Sequence, residues 1–204
     1  ICKGGMQVIT LYIVRHGETD SNLRHTCVGH KDVALNENGM RQAGFLCERL
    51  RSKNFDYIYV SPLKRAVDTI MPLARVKKRV PVIMNYGLIE RDYGRWDDMT
   101  FEEIEESDPE GYKNWHSDWI DFVIPDGESA AQVQSRINET IDNILSAHDS
   151  GDIIVVTHLG AARHILSHLP GLSTEQSWLF TLDNEKYASV AIDNGKAGLT
   201  GLNL

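Results

Sequence analysis

Two histidines each stand directly behind a short apolar run: Arg15-His16-Gly17-Glu18-Thr19 follows LYIV at residues 11–14, and Thr157-His158-Leu159-Gly160 follows IIVV at residues 153–156. Ser61-Pro62-Leu63-Lys64-Arg65 follows YIYV at residues 57–60 in the same way, and Glu90 lies a few residues beyond VPVIM at residues 80–84. Short runs rich in β-branched and aromatic residues read as buried strands. In a parallel α/β sheet the crevice outside the carboxyl ends of the strands is where ligands bind. One sheet edge is therefore expected to gather Arg15, His16, Arg65, Glu90 and His158.

That set suits phosphoryl transfer. Arg15 and Arg65 offer planar, permanently charged forks that match phosphate oxygens and stabilise charge spreading over them in the transition state. Two guanidinium groups beside His16 disfavour its protonated form and keep a lone pair for attack on phosphorus. Gly17 is expected to let the backbone approach the ligand closely, and the amides opening the helix after His158 to donate to a phosphate oxygen. Glu90 would carry the proton, first to the leaving alkoxide and then from water, which asks for a partly buried carboxyl.

The elements that must position these groups alternate. Between the strand runs, Ala43, Leu46, Cys47 and Leu50 recur at helical spacing behind Asn36 as N-cap, with an end near Asn54; Val133, Ile137, Ile141, Ile144 and Leu145 repeat the pattern behind Ser129. This predicts an α/β fold, a mostly parallel sheet with helices on both faces, in one domain spanning residues 1–204. A final alternating run, YASVAI at residues 187–192, reads as an edge strand able to pair across a homodimer.

Composition narrows the partners. The 204 residues hold 29 acids against 21 Lys and Arg, a net charge of -8, which speaks against nucleic acid or an anionic membrane as partner. Residues 97–128 hold twelve Asp or Glu and one Lys together with Tyr112, Trp115, Trp119 and Phe122, and read as a lid over the strand ends. Cys2, Cys27 and Cys47 match neither a disulfide framework nor a metal knuckle and suit a reducing cytoplasm. With no long apolar run and no signal peptide, Met6 reads as the natural start and residues 1–5 as an added leader.

RHGETDSN at residues 15–22, LNENGMRQA at 35–43, SPLKRAVDT at 61–69, LIERDYGRW at 88–96, PDGES at 125–129 and VTHLGAARHIL at 156–166 resemble the histidine phosphatase superfamily, its phosphoglycerate-mutase-like branch. The resemblance covers nearly the whole chain and lies nearest the alpha-ribazole and broad-specificity phosphatases. It implies a three-layer α/β/α sandwich, a phosphohistidine at His16, Glu90 as proton donor, and a phosphate pocket built from Arg15, Arg65 and His158 with Asn22. Gly17, Gly29 and the backbone of Leu159 are further expected ligand contacts. No metal or other cofactor is implied, and the partner is a small-molecule phosphate monoester. Two departures stand out: Asp98 replaces a glycine usual after the catalytic loop, and Val28 replaces a polar residue before Gly29.

Other readings compete. His16, His158 and Glu90 could form a two-His-one-carboxylate metal site, but two arginines there would repel a dication. His164 and His168, four apart, read as a partly exposed helix face, and Trp115 and Trp119 as packing for the lid, with stacking on substrate the lesser alternative. The carboxylates between Glu90 and the long helix oppose a small polyanion, which favours water as acceptor and a neutral or cationic leaving group, flat or not, such as a nucleoside-like or sugar alcohol; alpha-ribazole 5'-phosphate fits that description, and so does broad activity on several phosphate esters. Phosphoglycerate mutase is the rival enzyme, and a non-catalytic phospholigand-binding protein the rival without chemistry.

Overall fold

The computed structural model describes residues 8–204, so the free thiol expected at Cys2 and the start read at Met6 lie outside the described residues. Strand β1 (Val8–Arg15) is followed by a single helical turn, α1 (Asp20–Leu23), and by α2 (Glu37–Leu50). Then come β2 (Tyr57–Val60), α3 (Lys64–Val76) and β3 (Val82–Met84). Two short helices, α4 (Phe101–Ser107) and α5 (Pro109–Ser117), precede the long α6 (Ala130–Ser146). The chain closes with β4 (Gly151–Thr157), α7 (Leu159–His168), β5 (Tyr187–Asp193) and β6 (Lys196–Gly201).

The six strands form one sheet in the order β3-β2-β4-β1-β5-β6, with the first four parallel and the last two antiparallel to their neighbours. Alternation along the strands supplies both faces of the sheet. Ile9, Leu11 and Ile13 of β1 pack with Ile153 and Val155 of β4 against α6 and α7. Tyr12 and Val14 pack with Ile154 and Val156 against α2 and α3. A fully buried Leu11 or Ile13 contributes roughly 1.5–3 kcal/mol relative to exposure, and the result is the three-layer α/β/α sandwich expected.

The expected helix starts hold at atomic detail. Asn36 accepts a bond from the Gly39 amide at 2.8 Å, and Ser129 caps α6 in a reciprocal box with Gln132. α2 stops at Leu50, short of Asn54.

Two strand expectations need correction. β3 is an edge strand rather than a buried one, with Val82, Ile83 and Met84 exposed by 42%, 37% and 60%. β5 is interior, paired with β1 on one side and β6 on the other, so it offers no open edge to a second copy. The turn between β5 and β6 places Asn194 and Gly195 at φ 50° and 75°, the left-handed pair of a tight hairpin.

The acidic segment has its own small core. Trp96, Ile104 and Ile124 are buried with Cys27, and Met99 bridges back to Cys27 in an isolated antiparallel pair. No helix among the described residues is long and apolar enough to cross a membrane.

Candidate active site

Strand register decides which side chains meet. Arg15 of β1 is paired with Thr157 of β4, and Val60 of β2 with Val156, so the three strands end almost level. The next residue of each chain, His16, His158 and Ser61, therefore emerges at one edge; the His16 amide donates to Thr157 O at 3.1 Å and the Ser61 amide to Val156 O at 2.9 Å. The His16 and His158 rings lie 5.1 Å apart. A cleft of about 160 Å³ opens over this edge, and its walls include Arg15, His16, Asn22, Arg65, Glu90 and Leu159.

His16 is buried, yet lines the cleft. Its Nδ1 lies 2.7 Å from Gly17 O, which makes Nδ1 the N–H donor and Nε2 the nitrogen with a lone pair. Burial, and then the charges of Arg65 and Arg15, hold its pKa well below the ordinary 6.5. The imidazole is thus neutral at physiological pH, as the sequence implies.

Arg65, in the first turn of α3, is the most thoroughly held group of the site. Its Nε donates to His158 Nδ1 at 3.1 Å, one terminal nitrogen to Lys31 O at 2.9 Å and the other to Gly29 O at 2.7 Å. One N–H on each terminal nitrogen is left for a ligand. Burial draws the guanidinium down to about 10, so it stays charged at neutral pH. Arg15 is fixed through a bond to Leu182 O at 2.9 Å.

Several expected contacts have other uses. His158 is wholly buried behind the cleft wall, with Nδ1 taken by Arg65 and Nε2 2.8 Å from Ser61 Oγ. In this geometry it positions Arg65 and flanks His16. The Gly17 amide is occupied by Thr69 Oγ1 at 2.8 Å, and the glycine is needed because a Cβ would lie 2.8 Å from Gly39 O of α2. Gly29 likewise gives its amide to Asp97 and its carbonyl to Arg65, and is absent from the cleft lining.

The amides opening α7 are largely taken as well. Glu90 accepts from Gly160 N at 2.9 Å, Ala161 N at 3.2 Å and Arg91 N at 2.9 Å, so the helix start anchors the carboxylate. Leu159 and Gly160 both line the cleft. Asn22 closes a capping box with Thr19, which engages Oδ1 and leaves Nδ2 for a ligand.

The substituted turn is explained by its side chain. Asp98 adopts φ 65°, a backbone suited to glycine, and accepts bonds from Ser21 at 3.0 Å, Thr26 at 2.9 Å, Lys31 at 2.6 Å and Arg24. Burial opposes its charge, but these donors outweigh it and hold the carboxyl well below its ordinary range. Asp98 thereby pins the 21–31 loop whose carbonyls hold Arg65.

Three residues were not singled out from sequence. Arg163 of α7 adds a third guanidinium to the cleft, tied by Nε to Phe180 O at 2.9 Å and lying over Trp178 at 4.3 Å. It stands one helical turn after Leu159, a spacing that would have pointed to it. Tyr93 forms the wall beside Glu90, and Asn184 donates to His16 O at 2.9 Å. Among the described residues, no three His, Cys, Asp or Glu side chains cluster as metal ligands would. His164 is buried, not part of an exposed face, while His168 pairs with Asp142 at 2.8 Å.

A neutral imidazole between guanidinium forks, at the carboxyl edge of a parallel sheet, has the chemistry that phosphoryl transfer requires. The chain belongs to the histidine phosphatase superfamily, branch 1, whose model matches residues 11–204. It is 30% identical to phosphoserine phosphatase 1 of Hydrogenobacter thermophilus over 97% of this chain and 93% of the relative. It is 28% identical to the adenosylcobalamin/alpha-ribazole phosphatase of Escherichia coli over 92% and 96% of the two chains. The crystal structure of the alpha-ribazole phosphatase from Shigella flexneri superimposes with a TM-score of 0.90 at 28% identity, covering 96% of each chain. Family and relatives together make the chain a phosphatase, hence a hydrolase.

Proposed function

We propose that the chain hydrolyses a small phosphate monoester through a phosphohistidine at His16. In the first step the Nε2–P bond forms as the P–O ester bond breaks, and the departing alkoxide takes a proton from the Glu90 carboxyl. In the second, water gives a proton to Glu90 while its oxygen bonds phosphorus and the N–P bond breaks, releasing phosphate. Arg15 and Arg65 hold the phosphoryl oxygens throughout, with Asn22 Nδ2 and the Leu159 backbone as further donors. The observation that carries this reading is the His16 ring itself: Nδ1 is committed to Gly17 O, and the unprotonated Nε2 belongs to a residue lining the cleft beside both arginines.

Water as acceptor is supported by the carboxylates of residues 97–128, which disfavour retention of a bisphosphorylated intermediate of the kind a mutase passes through. Within this reading residues 1–204 act as one domain, residues 97–128 as its lid, and alpha-ribazole 5'-phosphate is the specific ester we put forward. A cytoplasmic setting is supported by the free, buried thiols of Cys27 and Cys47. The test is phosphate release from a panel of monoesters alongside 3-phosphoglycerate isomerisation. Hydrolysis should dominate; faster isomerisation would replace it with the mutase reading.

A further inference from the structure

Glu90 sits where the backbone has no regular support. Residues 89–93 lie between two 3-10 turns, Tyr86–Leu88 and Gly94–Trp96, and form neither strand nor helix. Backbone groups taken from water need partners all the same. Several of those in this stretch find them in one pair of side chains: Glu128, just ahead of the Ser129 cap, and Arg136, two turns into α6.

Arg136 Nη1 donates to Gly87 O and to Ile89 O, both at 2.9 Å, and Nη2 to Glu90 O at 3.4 Å. Nε and Nη2 also grip the two carboxylate oxygens of Glu128 as a fork, at 3.1 and 2.8 Å. Glu128 carries the hold to the other side of Glu90. Its Oε2 accepts from the Asp92 amide at 2.9 Å, its own amide donates to Asp92 O at 2.9 Å, and its carbonyl accepts from Arg91 Nε at 3.0 Å. Burial opposes charge on Glu128, but the bonds from Arg136 and the Asp92 amide outweigh it and hold the carboxyl below its ordinary range. The stretch is also pressed against α6 by packing: a Cβ at Gly87 would collide with Thr140, one turn beyond Arg136.

All five N–H donors of Arg136 are thereby committed, so it has none left for a ligand, and it is not among the residues lining the His16 cleft. Its reach into the chemistry runs through Glu90 alone. The Glu90 carboxyl is tied to α7 by the Gly160 and Ala161 amides, and the Glu90 backbone is tied to α6 by this pair. A proton carrier must come within about 2.6–3.2 Å of the oxygen it serves, and a misplacement of about 1 Å can cost on the order of a hundredfold.

We propose, on the reading that Glu90 is the proton carrier, that Glu128 and Arg136 are positioning residues for the leaving-group step. Acting through the backbone of residues 87–92, they set where the Glu90 carboxyl meets the ester oxygen. Esters whose leaving group needs a proton depend on the pair; esters whose leaving group departs as a stable anion do not.

The experiment compares kcat/KM for 2-naphthylmethyl phosphate, whose alkoxide needs a proton to leave, with that for 2,4-dinitrophenyl phosphate, whose phenolate leaves without one. In Glu90→Gln the ratio of the first to the second should fall by about a hundredfold or more. An unmoved ratio there would overturn the proton-carrier reading, and the positioning role with it. Arg136→Lys keeps the charge but replaces a five-donor fork with three donors, and should lower the same ratio by about tenfold or more. Added to Glu90→Gln, it should lower the ratio no further, because the pair acts only through that carboxyl. Should Arg136→Lys fail to fold by circular dichroism, Glu128→Gln, which keeps the shape and loses the charge, is read for the same ratio. A merely structural contact would slow both esters alike. A ratio within about threefold of wild type in the folded single variant, or a further fall in the double variant, would overturn the positioning role while leaving Glu90 as the proton carrier.

Discussion

The carboxyl edge of the sheet and the acidic aromatic segment of residues 97–128 are built on different principles. At the edge, backbone pairing does the positioning: Arg15 opposite Thr157 and Val60 opposite Val156 bring His16, His158 and Ser61 level, and every heteroatom of Arg65 is then tied to a neighbour. In residues 97–128 no strand is present. Two short helices, α4 and α5, gather round Trp96, Ile104 and Ile124, and the segment is moored to the rest through Asp97 and Asp98 at one end and Glu128 at the other. The His16 cleft thus sits on the part that cannot shift without breaking the sheet, and residues 97–128 form a part whose packing is side chain on side chain, where sequence change is tolerated more readily.

The sharpest way to break this contrast is at the edge. His16→Ala should lower kcat by about 10⁴-fold or more with the circular dichroism spectrum unchanged. Hydrolysis near the wild-type rate would mean that the nucleophile is elsewhere.

Arg65→Lys keeps the charge but loses the fork that spans Gly29 O, Lys31 O and His158, and should cost about 10²–10³ in kcat/KM. A loss below threefold would show that charge alone suffices there.

Acid should expose the same rigidity in stability measurements. His16 and His158 are held well below 6.5 and His164 at about 4. Each is neutral in the fold and free to take a proton when unfolded, so stability present above about pH 6.5 is lost as pH falls toward the folded values. The slope is about 1.4 kcal/mol per pH unit for each such group. Urea midpoints between pH 7 and pH 4.5 should fall accordingly, and His164→Phe should remove one group's share; a flat profile would contradict the buried neutral assignment.

The smallest effect is expected at the mooring. Asp98→Gly suits φ 65° but removes four accepted bonds, and should lower Tm by about 2–4 °C for roughly 1 kcal/mol while raising KM. An unchanged Tm and KM would detach the 21–31 loop from the account.

How much of this was legible in the sequence follows the same division. Residues placed by strand ends, namely Arg15, His16, Arg65, Glu90 and His158, were readable because an apolar run, its register and the next residue are local facts. What each backbone amide does was not. Gly17 reads as a ligand contact, yet its amide is claimed by Thr69, and the α7 amides expected at phosphate hold Glu90. Those assignments depend on groups more than fifty residues away. Sheet edges were misread for a related reason: an alternating run such as residues 187–192 does not disclose its neighbours. The Asn194-Gly195 pair was nonetheless a hairpin signal that would have revealed β6 and made β5 interior. His164 reads as part of a partly exposed helix face yet is buried, because what packs against α7 leaves no signature within α7 itself.

The central claim is a covalent phosphoryl group on His16, and trapping it is the most direct test. Enzyme mixed with excess 2-naphthylmethyl phosphate, quenched in alkali within milliseconds and digested, should yield an acid-labile, alkali-stable phosphopeptide containing His16, formed faster than turnover and absent from His16→Ala. Phosphate released at full rate with no phosphopeptide, or the label found on His158 instead, would contradict the account.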